Sequence, residues 1–146
     1  MFARRAALFS LLWLLISAQL TACGGANSRL ITVRAGNGSG AVDFAVKNAT
    51  DAPINSLYLA KTERVTAAGQ NLQYDSPQGV ELWGPDLLGR AGIGAGQRMQ
   101  IEVPEPGIWD VRALDRDSRY QHVTGLRLGA GGRYILELNE GGWRVQ

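Results

Sequence analysis

The chain has 146 residues, and its 15 basic and 13 acidic side chains give a formal net charge of +2. Two of the cations, Arg4 and Arg5, lie at the start, and the rest of the chain carries 13 basic and 13 acidic residues. A neutral chain without a cluster of Lys and Arg lacks the basic surface of a nucleic-acid-binding protein, so no nucleic-acid partner is expected. One histidine and one cysteine exclude a metal site rich in imidazole or thiolate ligands, and no cofactor is expected.

The first segment, MFARRAALFSLLWLLISAQLTAC, has the features of an export signal. Arg4 and Arg5 precede an almost wholly apolar run over residues 6–18, which has the length of a signal-peptide core and is too short to cross a bilayer comfortably. The sequence therefore predicts a signal peptide over residues 1–22, with export by the Sec route favoured over the twin-arginine route.

The segment LTAC (20–23) resembles the lipobox of bacterial lipoproteins, in which a leucine and two small residues precede a cysteine. The resemblance implies that Cys23 carries a diacylglycerol, that the chain is cut before it, and that the new amino group is acylated. Three acyl chains would anchor the protein stably in a membrane, because two already suffice. The expected location is the bacterial cell envelope, and Gly24 favours the outer membrane, facing the periplasm or the cell surface. A signal peptide cut elsewhere, with Cys23 as a free thiol, and an uncleaved signal anchor are the alternatives.

Cleavage before Cys23 would leave residues 23–28 as a short lipidated tether and residues 29–146 as a single domain. All 19 glycines lie after the signal peptide, many of them between short β-branched runs, which is typical of an all-β domain. A lone cysteine cannot form a disulfide within the chain, so the stability of the domain must come from its core.

Strands are predicted where apolar and polar residues alternate. In chain order, the predicted strands are residues 31–33, 42–46, 54–60, 99–103, 109–113, 119–128, 133–138 and 143–145. The pair Asn37-Gly38 predicts a hairpin that joins the first two strands. Outside the signal peptide no helix is predicted, except for one short turn at residues 85–88. The pattern predicts an all-β fold with a single β-sandwich, and a partly open β-barrel is the alternative.

Two segments of the chain repeat one another. GAGQRMQIEV (94–103) and GAGGRYILEL (129–138) share Gly-Ala-Gly, then Arg, then Glu at matched places. Two copies are too few for a repeat protein. We interpret both segments as a glycine turn that leads into a strand with one solvent-exposed face. We prefer this local explanation of their similarity to an ancestral duplication.

Residues 66–79 are the least strand-like part of the domain and are predicted to form a long loop, either functional or a floppy insertion. The loop contains Tyr74 and Asp75. Close by, Trp83 could either fill the core or offer a stacking surface to a sugar or peptide, and the core is favoured because aromatic side chains dominate buried area.

Few residues suggest catalysis. His122 could form a Ser-His-Asp triad with a serine, but no serine lies in a G-x-S-x-G elbow, and a packed or surface histidine is favoured. Asp110, Asp115 and Asp117 could bind calcium, but they lack EF-hand spacing, and neighbouring arginines favour a turn with ion pairs.

Three segments, INSLYLA (54–60), WGPDLLG (83–89) and WDVRALDRD (109–117), resemble a small domain that recurs in exported bacterial proteins. The pattern of that family runs IxxLYIS, WGxDLL and YD(L/I)RxxDxDG, and the resemblance covers residues 48–138. It implies a fold unit and export, and it implies no activity. This chain departs from the pattern at Trp109, where tyrosine is usual, and at Ser118, where glycine is usual. In the middle segment we interpret Leu87 and Leu88 as closing one end of the sandwich, with Asp86 capping the turn.

The expected function is that of a non-enzymatic lipoprotein that binds an envelope protein or a glycan, held to the membrane by its N-terminal lipid. An accessory subunit of an envelope assembly or secretion complex is one alternative, and a hydrolase is a weaker one. The candidate binding surface comprises Tyr74, Asp75, Trp83, Asp86, Asp115 and Asp117.

Overall fold

The structure is a computed structural model and describes residues 27–69 and 76–145. Along this part of the chain, the elements are β1 (Arg29–Arg34), β2 (Asp43–Ala49), β3 (Ile54–Lys61), α1 (Thr62–Ala68), α2 (Pro77–Trp83), β4 (Arg98–Ile101), β5 (Gly107–Asp115), β6 (Tyr120–Leu128), β7 (Arg133–Asn139) and a 3-10 turn (Glu140–Gly142). The predicted signal peptide and the predicted site residues Cys23, Tyr74 and Asp75 lie outside the described residues. No helix within the described ranges is long and apolar enough to cross a membrane.

The strands form two sheets that pack face to face. The first sheet has the order β1-β7-β2-β4 and the second has the order β3-β5-β6, and they do not close into a barrel. Alternate residues of each strand point between the sheets, so Phe44 and Leu136 from the first sheet meet Leu57 and Val111 from the second in a fully buried core. The prediction of an all-β sandwich is confirmed.

The predicted hairpin between β1 and β2 is wrong. Both strands flank β7, which is antiparallel to β1 and parallel to β2. A turn does form at Asn37, whose Oδ1 accepts the amide of Ser39 at 3.0 Å. Its backbone N–H, however, donates to Ala130 O at 3.0 Å, next to β7. Burial decides the pairing, because β7 carries core residues along its length and a strand so buried needs a neighbour on each side.

The two Gly-Ala-Gly segments form matching turns. Gln97 N–H donates to Gly94 O and Gly132 N–H donates to Gly129 O, both at 3.0 Å. The third residue of each turn, Gly96 or Gly131, has a φ of +75° or +74°, which only glycine adopts readily. The turns lead into β4 and β7, the two neighbours of β2. Each copy is therefore a glycine turn that leads into a strand, and the preference for a local solution over an ancestral duplication stays a prediction.

The prediction of an unbroken loop over residues 66–79 is wrong, as is the absence of helices. α1 and α2 occupy its two ends. Each helix has only seven residues, too few for a 3.6-residue period to stand out in the sequence. The local signals for α2 were present, because Ser76 Oγ accepts the amide of Gly79 at 3.0 Å as an N-cap and Pro77 occupies the first turn. Residues 85–88, predicted to make a helical turn, form bends instead.

The helices form a partial third layer on the outer face of the second sheet. Val65 of α1 and Leu82 and Trp83 of α2 pack with Ala60 of β3, and half-buried Tyr58 borders this cluster. The apolar contacts hold the helices, since neither is long enough to be stable alone.

The sandwich has two ends. At the tether end, where the described chain begins, Asn139 Nδ2 donates to Asn27 O at 3.0 Å and Gln121 Nε2 donates to Asn139 O at 2.9 Å. The turn between β5 and β6, residues 116–119, lies at the same end. At the opposite end, called the groove end, β3 finishes at Lys61, beside the start of β5.

Candidate functional site

An open groove lies at the groove end, between the helix layer and the two β-strands β3 and β5. It has a volume of about 560 Å³, within the usual range of roughly 300–1,000 Å³ for ligand sites. We call it the acidic groove, and its lining residues are Leu59, Ala60, Lys61, Glu63, Arg64, Glu81, Leu82, Trp83, Gly84, Pro85, Leu87, Glu102, Pro104, Glu105 and Trp109.

The floor of the acidic groove is apolar. Leu87 is 41% exposed, one of the large hydrophobic side chains that the domain leaves in solvent. Pro85, Pro104 and half-buried Leu59 extend the same surface. Trp109 lies beneath them, only 6% exposed, with its Nε1 donating to Glu105 O at 3.2 Å. An apolar floor of this kind gains free energy when a ligand removes it from water.

The rim of the groove is charged, with four carboxylates and two cations. Lys61 Nζ pairs with Glu105 at 2.8 Å and lies 4.6 Å from the centroid of the Trp109 ring. Arg64 reaches the backbone carbonyl of Glu81 at 3.4 Å. Within the described ranges, the carboxylates of Glu63, Glu81 and Glu102 form no ion pair. The rim is therefore negative overall.

The segment WGPDLLG shapes this groove from below. Gly84 ends α2 with a φ of +72°. Asp86 Oδ1 then accepts the amides of Leu57 and Leu88, each at 3.0 Å, and so fastens the segment to β3. Leu88 enters the core while Leu87 faces the groove. The interpretation that Asp86 caps the turn is confirmed, whereas only one of the two leucines closes the sandwich.

Trp83 is a core residue of the helix layer. It is 3% exposed, and its ring meets the ring of His122 edge-on, with centroids 5.5 Å apart and planes at 78°. Its face is covered, so the stacking surface considered from the sequence does not exist there. The interpretation as a core residue is confirmed.

A buried carboxylate, Asp110, organises the sheet surface beneath the helices. Asp110 is 2% exposed and accepts three hydrogen bonds: from Thr62 Oγ1 at 2.5 Å, from Gly125 N–H at 3.0 Å and from His122 Nε2 at 3.0 Å. Gly125 belongs to a bulge in β6, opposite Asp110. The network joins the start of α1 to both strands. Sequence reasoning placed Asp110 with a possible calcium cluster and missed this role.

Asp115 and Asp117 lie at the tether end, far from the groove. The Asp115 side chain, 1% exposed, accepts the amides of Asp117 and Arg119 and pairs with Arg119 Nε at 2.6 Å. The hydrogen bond that Arg119 donates to Asp115 raises the pKa of Arg119 above its ordinary value. This is the ion-paired turn that the sequence favoured. Among the described residues, no group of three or more His, Cys, Asp or Glu side chains is placed to hold a metal ion.

The predicted binding residues therefore do not share one surface. Trp83 and Asp86 help to build the acidic groove, but one is buried and the other serves the backbone. Asp115 is buried and Asp117 is exposed at the opposite end. Rim residues such as Glu81 and Glu102 were not among the predicted binding residues. No local pattern marks them, because they come from separate segments that only the fold brings together.

A second cavity, of about 580 Å³, lies beside the free edge of β6. Tyr120, Gln121, His122, Val123 and Thr124 form one of its walls, and residues from both ends of the described chain form the other. Arg144 pairs with Tyr120 as a single antiparallel bridge, and beyond Tyr120 no other strand of the described residues pairs with this edge of β6.

Comparison with known proteins adds no relative. No protein-family model matches the chain, and no curated protein or solved structure is significantly similar to it. The resemblance to a small exported domain stays a prediction.

Proposed function

We propose that this protein is a lipid-anchored, non-enzymatic binding module of the bacterial envelope, and that the acidic groove holds its partner. The observation that carries the proposal is the groove itself, which keeps Leu87 exposed on an apolar floor inside a rim on which three of the four carboxylates form no ion pair within the described ranges.

The groove favours a protein partner over a glycan. Sugar binding commonly uses an exposed aromatic face, and both tryptophans near the groove are buried, Trp83 under His122 and Trp109 under Lys61. The exposed apolar groups of the floor are instead leucine and proline side chains, which suit the side chains of a peptide.

The arrangement around His122 does not favour a hydrolase. In a nucleophile–base–carboxylate chain, the hydroxyl group bonds the histidine. Here the hydroxyl of Thr62 donates to Asp110, and His122 donates to the same carboxylate. Both donors converge on the acid, so the pattern is that of a buried carboxylate being satisfied.

Photo-cross-linking in intact cells tests the groove. A photoreactive amino acid at position 87 should yield a discrete adduct with another envelope protein. The matched control is position 33 on β1, since Val33 is also an exposed apolar residue but lies on the other sheet. Adducts from position 33 alone, or from neither position, would contradict the proposal.

The membrane anchor is tested separately by mass spectrometry of the protein extracted from membranes. We expect an N-terminal Cys23 whose mass includes a diacylglycerol and an amide-linked acyl chain. Replacement of Cys23 by Ser should release the protein from the membrane fraction. An unmodified thiol would contradict the anchor and leave the binding groove in place.

The second candidate function is that of an accessory subunit that docks through β6. The observation behind it is the cavity along the free edge of this strand, because unpaired backbone groups accept an added strand. Adducts from position 124 in a complex much larger than the monomer, without adducts from position 87, would favour this alternative.

A further inference from the structure

We infer that the occupant of the acidic groove is an extended peptide segment of the partner, with a lysine or arginine next to an apolar side chain. The inference rests on the proposed function and specifies the chemistry of its ligand. Three observations support it: the negative charge of the rim, the contact of Lys61 with Trp109 and Glu105, and the position of the groove at the end opposite Asn27.

The negative charge of the rim favours a ligand that carries a positive charge. Glu63, Glu81 and Glu102 are exposed and form no ion pair within the described ranges, while Lys61 is already paired with Glu105. Of the two cations on the rim, only Arg64 has no carboxylate partner among the residues that the structure describes. Three carboxylates around one apolar floor repel an acidic ligand and attract a basic one.

The chain itself shows how a cation binds here. The ammonium group of Lys61 lies over the ring of Trp109, 4.6 Å from its centroid, with Glu105 2.8 Å away. The electrons of the ring attract the ammonium group, and the charge of Glu105 adds to that attraction. A basic side chain of the partner would meet the remaining carboxylates, and its apolar neighbour would cover Leu87.

The position of the groove argues against a membrane as the occupant. Envelope lipids are commonly anionic, and a rim of carboxylates is repelled by such a surface. The groove also lies at the end of the sandwich opposite Asn27, through which any N-terminal lipid anchor must act. A segment of a protein in the aqueous compartment fits both facts.

The test is selection from a random dodecapeptide phage library on the full, lipidated protein held in detergent. Binding clones are eluted and counter-screened against Leu87→Ser, which removes the apolar contact on an exposed side chain. We expect the Leu87-dependent clones to be enriched in Lys or Arg beside Leu, Ile, Val or Pro.

One selected peptide is then made and its binding is measured by fluorescence anisotropy. The double variant Glu81→Gln/Glu102→Gln should raise its Kd by about 5–30-fold, if each exposed ion pair contributes ~0.5–1 kcal/mol. The matched control, Asp51→Asn/Asp117→Asn, removes the same charge from exposed sites at the tether end and should leave the Kd unchanged. Raising the salt concentration should weaken binding to the unaltered protein more than to the groove variant.

The outcomes separate this inference from the proposed function. Leu87-dependent peptides without basic residues, or equal effects of the two double variants, would overturn the cationic occupant and leave the groove as a binding site. The absence of any Leu87-dependent clone would overturn both. Loss of folding is excluded by circular dichroism, and the changed side chains are exposed, so the variants should keep the native spectrum.

Discussion

At the scale of single residues, Asp110 is the side chain on which the helix layer depends. Its carboxylate satisfies donors from α1, from the bulge of β6 and from His122. Replacing Asp110 with Ala leaves these partly buried donors without this acceptor and opens a gap beneath the helices, so we expect the free energy of unfolding to fall by about 1–3 kcal/mol. Urea unfolding, followed by tryptophan fluorescence, measures the loss.

The control for this change is Asp117→Ala. Asp117 is exposed on the turn and its side chain makes no hydrogen bond within the described ranges, so its loss should change stability by less than about 0.5 kcal/mol. Similar losses for the two variants would show that the Asp110 network contributes nothing special.

The lowered pKa of Asp43 makes the stability of the protein depend on pH. Its carboxylate pairs with Arg133 at 2.6 Å and accepts Gln100 Nε2 at 2.8 Å, and the hydrogen bond from Arg133 holds the pKa of Asp43 below its ordinary value. A lowered folded-state pKa adds stability above the unfolded pKa of about 3.9, and this contribution disappears as the pH falls through the folded value. Thermal unfolding at pH 6 and pH 2.5 should therefore show a smaller acid-induced drop in Tm for Asp43→Asn than for the unaltered protein.

A second carboxyl group will leave some acid sensitivity in that variant. Burial raises the pKa of Glu137, but the hydrogen bond from Lys47 and the charge of Arg29 outweigh it, and the net pKa is lowered. An identical drop in Tm for Asp43→Asn and the unaltered protein would contradict the role given to Asp43.

At the scale of elements, the two matching glycine turns provide a controlled comparison. An alanine Cβ at position 96 would meet nothing within 4 Å, whereas at position 131 it would lie 2.3 Å from the backbone oxygen of Ser39. Both changes place an alanine at a left-handed φ, which costs about 1–2 kcal/mol of stability. Only Gly131→Ala adds a backbone clash, so it should destabilise the protein by roughly 1–3 kcal/mol more than Gly96→Ala. Chemical denaturation of both variants measures the difference, and equal losses would contradict it.

The sequence predicted those elements that rest on local patterns. It did not predict relations between residues that are far apart in the chain. The alternating strands and the glycine turns are local patterns, and both were predicted. The partner of β1 is β7, which lies about a hundred residues further along the chain and pairs Leu136 with Leu30. The rim of the groove likewise joins Glu63, Glu81 and Glu102 from three segments. No window of sequence contains either relation, so only the fold could reveal them.

At the scale of the whole molecule, the anchor and the groove lie at opposite ends. If Cys23 carries the lipid, three residues separate it from Asn27, and the four Cα–Cα steps between them can span only about 14 Å. The turn at residues 116–119 must then lie near the bilayer. The acidic groove lies roughly 30 Å away, the length of the nine-residue strand β5, and faces the aqueous compartment.

Single cysteines test this orientation, because the only native cysteine would be consumed by lipidation. Asp117→Cys and Pro106→Cys place a thiol at exposed sites beyond either end of β5. With the protein in vesicles that contain nitroxide-headgroup lipids, a fluorophore at position 117 should be strongly quenched and one at position 106 weakly quenched. Equal quenching would rule out the upright orientation.

The central place of β7 also sets when the domain can acquire its structure. Within the described ranges, β1 pairs only with β7, and β2, which pairs with β4 on one side, has residues 133–139 as its other neighbour. Such pairing between distant parts of a chain is slow, because the ends of a long loop must meet first. When the chain emerges N-terminus first from a translocation pore, the first sheet therefore cannot be completed until residues 133–139 have passed, although the strands of the second sheet have already emerged. For the same reason a premature stop before β7 should leave no stable remnant, only material for proteolysis.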